Sequence, residues 1–283
     1  SMSRIAYIDG RYQPLNQPGI MVEDRGYQFS DGVYEVFAIR HHQPLDEARH
    51  LDRLQYSLGE LGMEMPMSRE AIKIVAREVM RRNRVSNGLL YIQVTRGVAP
   101  REHSFASNLK PVLVMTVRPI STQRRDAIRR DGIRVITVPD QRWARCDIKS
   151  ISLLPNVLAR QSAKQAGVQE AWQIDQDGLV TEGAATNAWI VDAEGRLRTR
   201  AADQGILNGI IRQVIFDVAE SLQLQVDETA FTLAEAKAAK ECFSTASTMA
   251  VFPVTSIDGE TIGDGQPGPV ATALGQAYDA IGD

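Results

Sequence analysis

Residues 32–40 read Gly-Val-Tyr-Glu-Val-Phe-Ala-Ile-Arg. β-Branched and aromatic side chains favour extended backbone, and a strand sends successive side chains to opposite faces. Tyr34, Val36 and Ala38 then share one face, and Val33, Glu35 and Phe37 the other. Towards the N-terminus, Ile5-Ala6-Tyr7-Ile8 runs into Asp9-Gly10, which predicts a strand entering a hairpin turn. On the other side, Leu51, Leu54, Leu58 and Leu61 recur at helical spacing after Asp46, an expected N-cap, and Glu70 to Arg82 repeats the amphipathic pattern. Strands over Leu90–Thr95 and Val112–Val117 complete a first half.

The polar stretch Arg118–Arg125, with Pro119 and little to bury, reads as a link. The expected organisation is an N-terminal domain over 1–118, a linker over 119–125 and a C-terminal domain over 126–283. The second half opens with β-rich Ile133–Val138, continues in extended form through Cys146–Leu153, and turns helical from about Asn156 to Ala166. Asp177-Gly178 and Glu194-Gly195 separate alternating runs, so Ala171–Thr199 reads as a meander. A helix over Ile210–Leu222, short strands near Phe243 and Val251, and a helix after Pro269 follow. The fold class expected is a two-domain, mixed α/β (α+β) protein.

The chain has 283 residues, 43% apolar and 24% charged, enough to build two packed cores and bury a cofactor. A net charge of −3 gives no general attraction for a polyphosphate backbone, which argues against nucleic acid. No apolar run approaches the ~20 residues of a bilayer span, and the N-terminus lacks a basic-then-apolar leader pattern, so the expectation is a cytoplasmic protein without membrane attachment. Ser1 ahead of Met2 reads as a remnant of tag cleavage. Two cysteines without CxxC spacing, Cys146 and Cys242, are expected to be reduced and partly buried. The four histidines, His41, His42, His50 and His103, show no metal-ligand spacing, so no metal is expected. GxSxG and GxxxxGK[ST] are absent, and Gly263, Gly265 and Gly268 spell GxGxxG around a proline with too little chain left for a βαβ unit.

Six lysines occur, and five have surface contexts. Lys149, in Cys146-Asp147-Ile148-Lys149-Ser150-Ile151, falls by alternation on the face of Ile151 and Leu153. A lysine desolvated on such a face is an amine nucleophile able to form a Schiff base, although a single one more often snorkels from an edge strand. Glu182, before Gly183 and small residues, could pair with a ring nitrogen of a flat ligand, whereas a strand-end glutamate commonly faces water. Gly205 to Ile211 opens a helix whose free amides suit a phosphate. Arg101 and His103 sit in a loop after a strand, where an arginine fork can clamp a carboxylate. The clusters around Arg81 and Arg124–Arg130 lack interleaved aromatics and read as solvated helix faces.

Taken together, Glu23-Asp24-Arg25-Gly26-Tyr27-Gln28-Phe29, Asp31-Gly32-Val33-Tyr34-Glu35, Val94-Thr95-Arg96-Gly97, Arg145 to Ser150, Thr181-Glu182-Gly183 and Ile206 to Ile210 resemble the class IV aminotransferases, pyridoxal-phosphate enzymes of fold type IV. The likeness runs from Tyr7 to about Ile262 and lies nearest the branch that acts on D-amino acids. It implies two domains with pyridoxal 5'-phosphate between them, a homodimer, and amino-acid and 2-oxo-acid substrates. By this resemblance Lys149 carries the cofactor as a Schiff base and shuttles the substrate proton. Glu182 holds the pyridine nitrogen protonated, and Leu207 packs against the ring. Arg53, the amides of Ile210 and Ile211, and Ser247 and Thr248 take the phosphate. Tyr34, Arg101 and His103 form the substrate-carboxylate trap, the last two coming from the partner subunit. Ala184-Ala185-Thr186 stands where the D-specific members commonly have serines, and Ile211 where a threonine is usual; each lost hydrogen bond costs on the order of 1 kcal/mol. A branched-chain aminotransferase or aminodeoxychorismate lyase would share Lys149, Glu182 and Arg53 without Arg101 and His103. A non-catalytic binding protein on this fold is the alternative of another class.

Overall fold

The computed structural model describes residues 4–281, so Ser1 and Met2 lie outside the described residues. The chain divides into two compact units, one running to Ser121 and including Ile148–Ser152, the other formed by Thr122–Asp147 with the chain from Leu153 onward.

The first unit contains β1 (Ile5–Ile8), β2 (Arg11–Pro14), α1 (Arg25–Phe29), β3 (Gly32–Arg40), β4 (Gln43–Pro44), α2 (Glu47–Glu60), α3 (Arg69–Asn83), β5 (Gly88–Thr95) and β6 (Val112–Pro119). Its six strands pair antiparallel in the order β2-β1-β6-β5-β3-β4. The period-two pattern of β3 is realised: Val33, Glu35, Phe37 and Ile39 are buried, and the residues between them half-buried. Leu51, Leu54 and Leu58 of α2 and Ile72, Ala76 and Val79 of α3 pack with Val33, Phe37, Ile92 and Met115 in one apolar core, since residues at helical spacing share a face. Asp46 stands at the N-cap of α2 but in a left-handed conformation (φ +53°), and its side chain makes no cap hydrogen bond.

The second unit contains α4 (Thr122–Asp131), β7 (Ile133–Pro139), α5 (Leu154–Gln165), β8 (Glu170–Ile174), β9 (Val180–Gly183), β10 (Asn187–Val191), β11 (Leu197–Arg198), α6 (Ile210–Ser221), β12 (Val226–Asp227), α7 (Leu233–Ala238), β13 (Glu241–Ala246), β14 (Ala250–Ile257), β15 (Glu260–Thr261) and α8 (Pro269–Ile281). The sheet order is β12-β11-β10-β13-β14-β7-β8-β9, with β15 on β14. The faces of α6 and α8 close one core around Trp189 and Phe243, whose rings stack at 5.5 Å.

Four expectations are corrected. The first unit does end at Ser121, inside the 119–125 link, but that stretch is not irregular throughout: it holds the last residue of β6, then Ile120-Ser121, then the first turn of α4, a helix with no buried residue, so no apolar period announces it. Ala171–Thr199 is not a continuous meander: the β8–β9 and β10–β11 pairs are separated in the sheet by β13, β14 and β7. Cys146–Leu153 is not a strand, because only Ser150 pairs, in an isolated bridge to Val33. Lys149 is assigned by sequence to the C-terminal domain, yet Ile148–Ser152 belongs to the first unit, since it bonds to the start of β3.

Candidate active site

In the first unit the Lys149 segment is tied to β3 and α2. The Tyr34 amide donates to Lys149 O at 3.0 Å, the Ile151 amide to Gly32 O at 3.1 Å, and the Lys149 amide to Ser57 Oγ at 3.2 Å. Burial still alternates along the segment: Cys146, Ile148 and Ser150 are buried, and Lys149, like Ile151, is half-buried rather than buried. Its Nζ lies 4.3 Å from the centroid of the Tyr34 ring, a cation–π distance. Lys149 and Tyr34 are thus brought together.

Arg53 is buried one turn before Ser57 in α2 and anchored by Glu35. Its Nε donates to Glu35 Oε2 at 2.9 Å and its Nη2 to Oε1 at 2.8 Å, while the His50 Nδ1 lies 2.6 Å from Oε1. Burial alone would raise the Glu35 pKa, but the Arg53 guanidinium and the His50 ring outweigh it and hold it down at about 2. Burial pushes the His50 imidazole below its ordinary value, so the neutral ring donates through Nδ1.

Arg101 and His103 are exposed in the β5–β6 loop, where both lie against Phe29: the Arg101 guanidinium is 5.0 Å and the His103 ring 5.4 Å from its centroid.

In the second unit Glu182 is the penultimate residue of β9, with its carboxylate surrounded by donors. Asn187 Nδ2 reaches Oε2 at 2.7 Å, the Leu207 amide reaches Oε1 at 3.1 Å, and Arg142 Nη1 bonds Oε1. Arg142 also donates to Asp140, at 2.8 Å to Oδ2, and to Gly205 O at 3.2 Å. Burial disfavours the charged guanidinium, but the bonds to Asp140 and the charge of Glu182 raise its pKa further, so it stays cationic. Gly209 is required here, because a Cβ would stand 2.1 Å from Asn187 Oδ1. Leu207 is half-buried beside this carboxylate.

Ile210 and Ile211 begin α6, where Gly209 caps without a side-chain bond, leaving the first-turn amides to an outside acceptor. The Ile211 side chain packs in the core with Trp189 and Val214. A threonine there would lose that burial, and it is the amide that can serve a ligand. Ser247 and Thr248 are half-buried in the turn between β13 and β14. In the stretch lacking serines, the Ala185 amide and Thr186 Oγ1 bond Glu170 Oε2 at 3.2 and 3.1 Å. Burial raises the pKa of Glu170.

Glu35, His50, Ser57, Arg142 and Asn187 carry the arrangement without having been singled out as site residues. Glu35 could have been found as a charge on the apolar face of β3, and Arg142 by its spacing from Asp140; Asn187 left no local signal. Among the described residues, no group of three or more His, Cys, Asp or Glu side chains could hold a metal ion. Chemically, the first unit offers an amine over an aromatic ring and an anchored guanidinium. The second offers an anchored carboxylate and unclaimed helix amides.

The family model for class IV amino-transferases matches residues 32–257. The chain is 41% identical to a D-alanine aminotransferase of Bacillus licheniformis over 271 residues, 94% of each chain. It is 37% identical to that of Staphylococcus haemolyticus, over 96% of each. The branched-chain amino acid aminotransferase structure of Escherichia coli superposes with a TM-score of 0.90 at 21% identity, covering 99% of this chain and 95% of that one. The branched-chain amino acid aminotransferase of the archaeon Thermoproteus uzoniensis, solved with norvaline, gives 0.87 at 23% identity, covering 99% and 95%; at such identities the likeness shows the fold. A match over most of the length and relatives near 40% identity place this chain in the class IV aminotransferase family.

Proposed function

We propose that this chain transfers the amino group of a D-amino acid, such as D-alanine or D-glutamate, to a 2-oxo acid, such as 2-oxoglutarate or pyruvate, in a ping-pong cycle with pyridoxal 5'-phosphate. The observation that carries this reading is the pinned amine: Lys149 is bonded through its backbone to β3 and α2, and its Nζ is set over Tyr34. Identity to D-alanine aminotransferases at 41% over 94% of both chains supports the D-substrate class.

The residues present fit the cofactor. Uncapped amides at Ile210 and Ile211 and the buried Arg53 guanidinium are donors suited to a phosphate, and Glu182, held by three donors, is an acceptor suited to a protonated ring nitrogen. Lys149, Arg53, Glu182, Leu207, Ile210, Ile211, Ser247 and Thr248 are the groups assigned to hold it. When bound, pyridoxal phosphate supplies an aldehyde for the substrate amine and a ring that takes up electron density from Cα. The Lys149 amine is the base at the substrate Cα–H, and the same amine returns the proton on the other side of the transfer. Arg142 and Asn187 hold the Glu182 carboxylate in place. Tyr34, Arg101 and His103 take the α-carboxylate, the exposed loop pair serving the neighbouring protomer of a homodimer; fixing the carboxylate decides which face of Cα meets Lys149.

Two buried, unpaired thiols support a cytoplasmic setting. D-Alanine and L-leucine, each offered with 2-oxoglutarate, test the assignment. Turnover of D-alanine is expected, and turnover of L-leucine alone would reject it.

A further inference from the structure

Gly97 (φ +116°) is second in the β5–β6 loop, and a Cβ there would stand 2.2 Å from Lys110 O, so only glycine lets the loop close on itself. Arg101, Glu102 and His103 are exposed, and no burial of these side chains fixes the loop. A buried cation does so instead. Arg25, 4% exposed at the start of α1, donates from Nη1 to Glu102 O and from Nη2 to His103 O, the latter at 2.9 Å. Those carbonyls belong to the two peptide planes flanking the His103 α-carbon, so one guanidinium sets both backbone torsions of that residue.

Arg25 is itself held. Its Nε donates to Asp31 Oδ2 at 2.9 Å, and Arg96 Nε donates to the same oxygen at 2.7 Å while Arg96 Nη2 bonds Leu61 O. The Phe105 ring covers both guanidinium groups, 3.7 Å from Arg96 and 5.4 Å from Arg25, and Phe29 lies 4.7 Å from Arg25. The Arg25 amide bonds Gly97 O at 2.9 Å, which ties α1 to the start of the loop. Phe29, against which Arg101 and His103 rest, is the last residue of the helix that Arg25 opens.

We propose that Arg25 is a positioning residue that orders the 101–103 loop and thereby sets the enzyme's affinity for the substrate carboxylate. The proposal rests on the reading of Arg101 and His103 as the carboxylate trap. A loop ordered beforehand binds without the entropy cost of ordering at the moment of encounter. Three donors pointing to three acceptors in one plane suit arginine alone, so lysine is not a substitute.

The test uses the holoenzyme with D-alanine and 2-oxoglutarate, and with propanoate as a carboxylate lacking the reacting amine. Arg25→Gln and Arg25→Lys are each expected to raise KM for D-alanine and the inhibition constant of propanoate about tenfold or more. The kcat is expected to stay within about threefold, and the visible absorption of the bound cofactor to be unchanged. Should both variants fail to fold, Phe105→Ala, at a half-exposed ring, is expected to raise both constants about threefold with kcat retained. A folded variant with unchanged KM and propanoate binding, or one whose loss lies in kcat alone, overturns the proposal. Arg101→Ala and His103→Ala separate it from its premise. If they leave both constants unmoved, the trap reading fails; if they raise them while Arg25→Gln does not, the role of Arg25 fails.

Discussion

The Arg53 guanidinium grips the Glu35 carboxylate at two points, Nε to Oε2 at 2.9 Å and Nη2 to Oε1 at 2.8 Å, with the acid fully buried on the inner face of β3. A charge in an apolar core is tolerated only when paired and hydrogen-bonded, and His50 completes the pairing at 2.6 Å. The phosphate arginine of the proposed site is therefore fixed from behind.

Removing the acid takes both of these bonds from a buried guanidinium. Glu35→Ala is expected to lose about 3–5 kcal/mol of stability by urea unfolding of the apoenzyme. A loss below about 1 kcal/mol would mean that Arg53 finds other partners.

The same pair has a pH signature. The Glu35 carboxyl titrates at about 2 in the folded chain against an ordinary 4.5, so its contribution is fully present above pH 4.5 and disappears as pH falls towards 2. The stability advantage of the parent over Glu35→Gln should shrink across that window by roughly 3 kcal/mol. An advantage independent of pH would contradict the pairing.

At the start of α6, Ile210→Pro removes one amide at the helix position where proline is best tolerated. The expected result is a five- to tenfold rise in the dissociation constant of pyridoxal phosphate, the effect of one lost hydrogen bond of about 1 kcal/mol, measured by absorbance titration. Equal affinity in a folded variant would remove that amide from the phosphate site.

Burial pushes the Cys146 thiol up to about 11, and its Sγ donates to Trp143 O at 3.1 Å. At pH 8 the thiolate fraction is on the order of 0.001, so iodoacetamide should leave Cys146 unmodified in the native chain and label it after denaturation. Rapid native labelling, read by mass spectrometry, would place the thiol at the surface.

Local periodicity made much of the fold legible. Alternation in β3 and leucine spacing in α2 were readable because each element buries one face. A helix that buries nothing, α4, gave no such signal. Strand order depends on pairings between distant segments, which is why the β10–β11 pair could not be separated from β8–β9 by reading along the chain. Lys149 stood out as the lysine among apolar neighbours, and it does share a face with Ile151 and Leu153, but that face is half-buried rather than buried, a depth set by contacts to Tyr34, Gly32 and Ser57 that are distant in sequence. Glu182 was visible beside its glycine, whereas the Arg142 and Asn187 bonds that hold it depend on tertiary packing. The hold of Arg25 on the loop carbonyls spans 77 and 78 residues of chain, beyond any local pattern.

The assignment of Lys149 as the amine that holds the cofactor is tested most directly by loading the protein with pyridoxal phosphate, reducing with borohydride and mapping the peptides by mass. The account predicts one stable pyridoxyl adduct, on Lys149. An adduct on another lysine, or none, would contradict it.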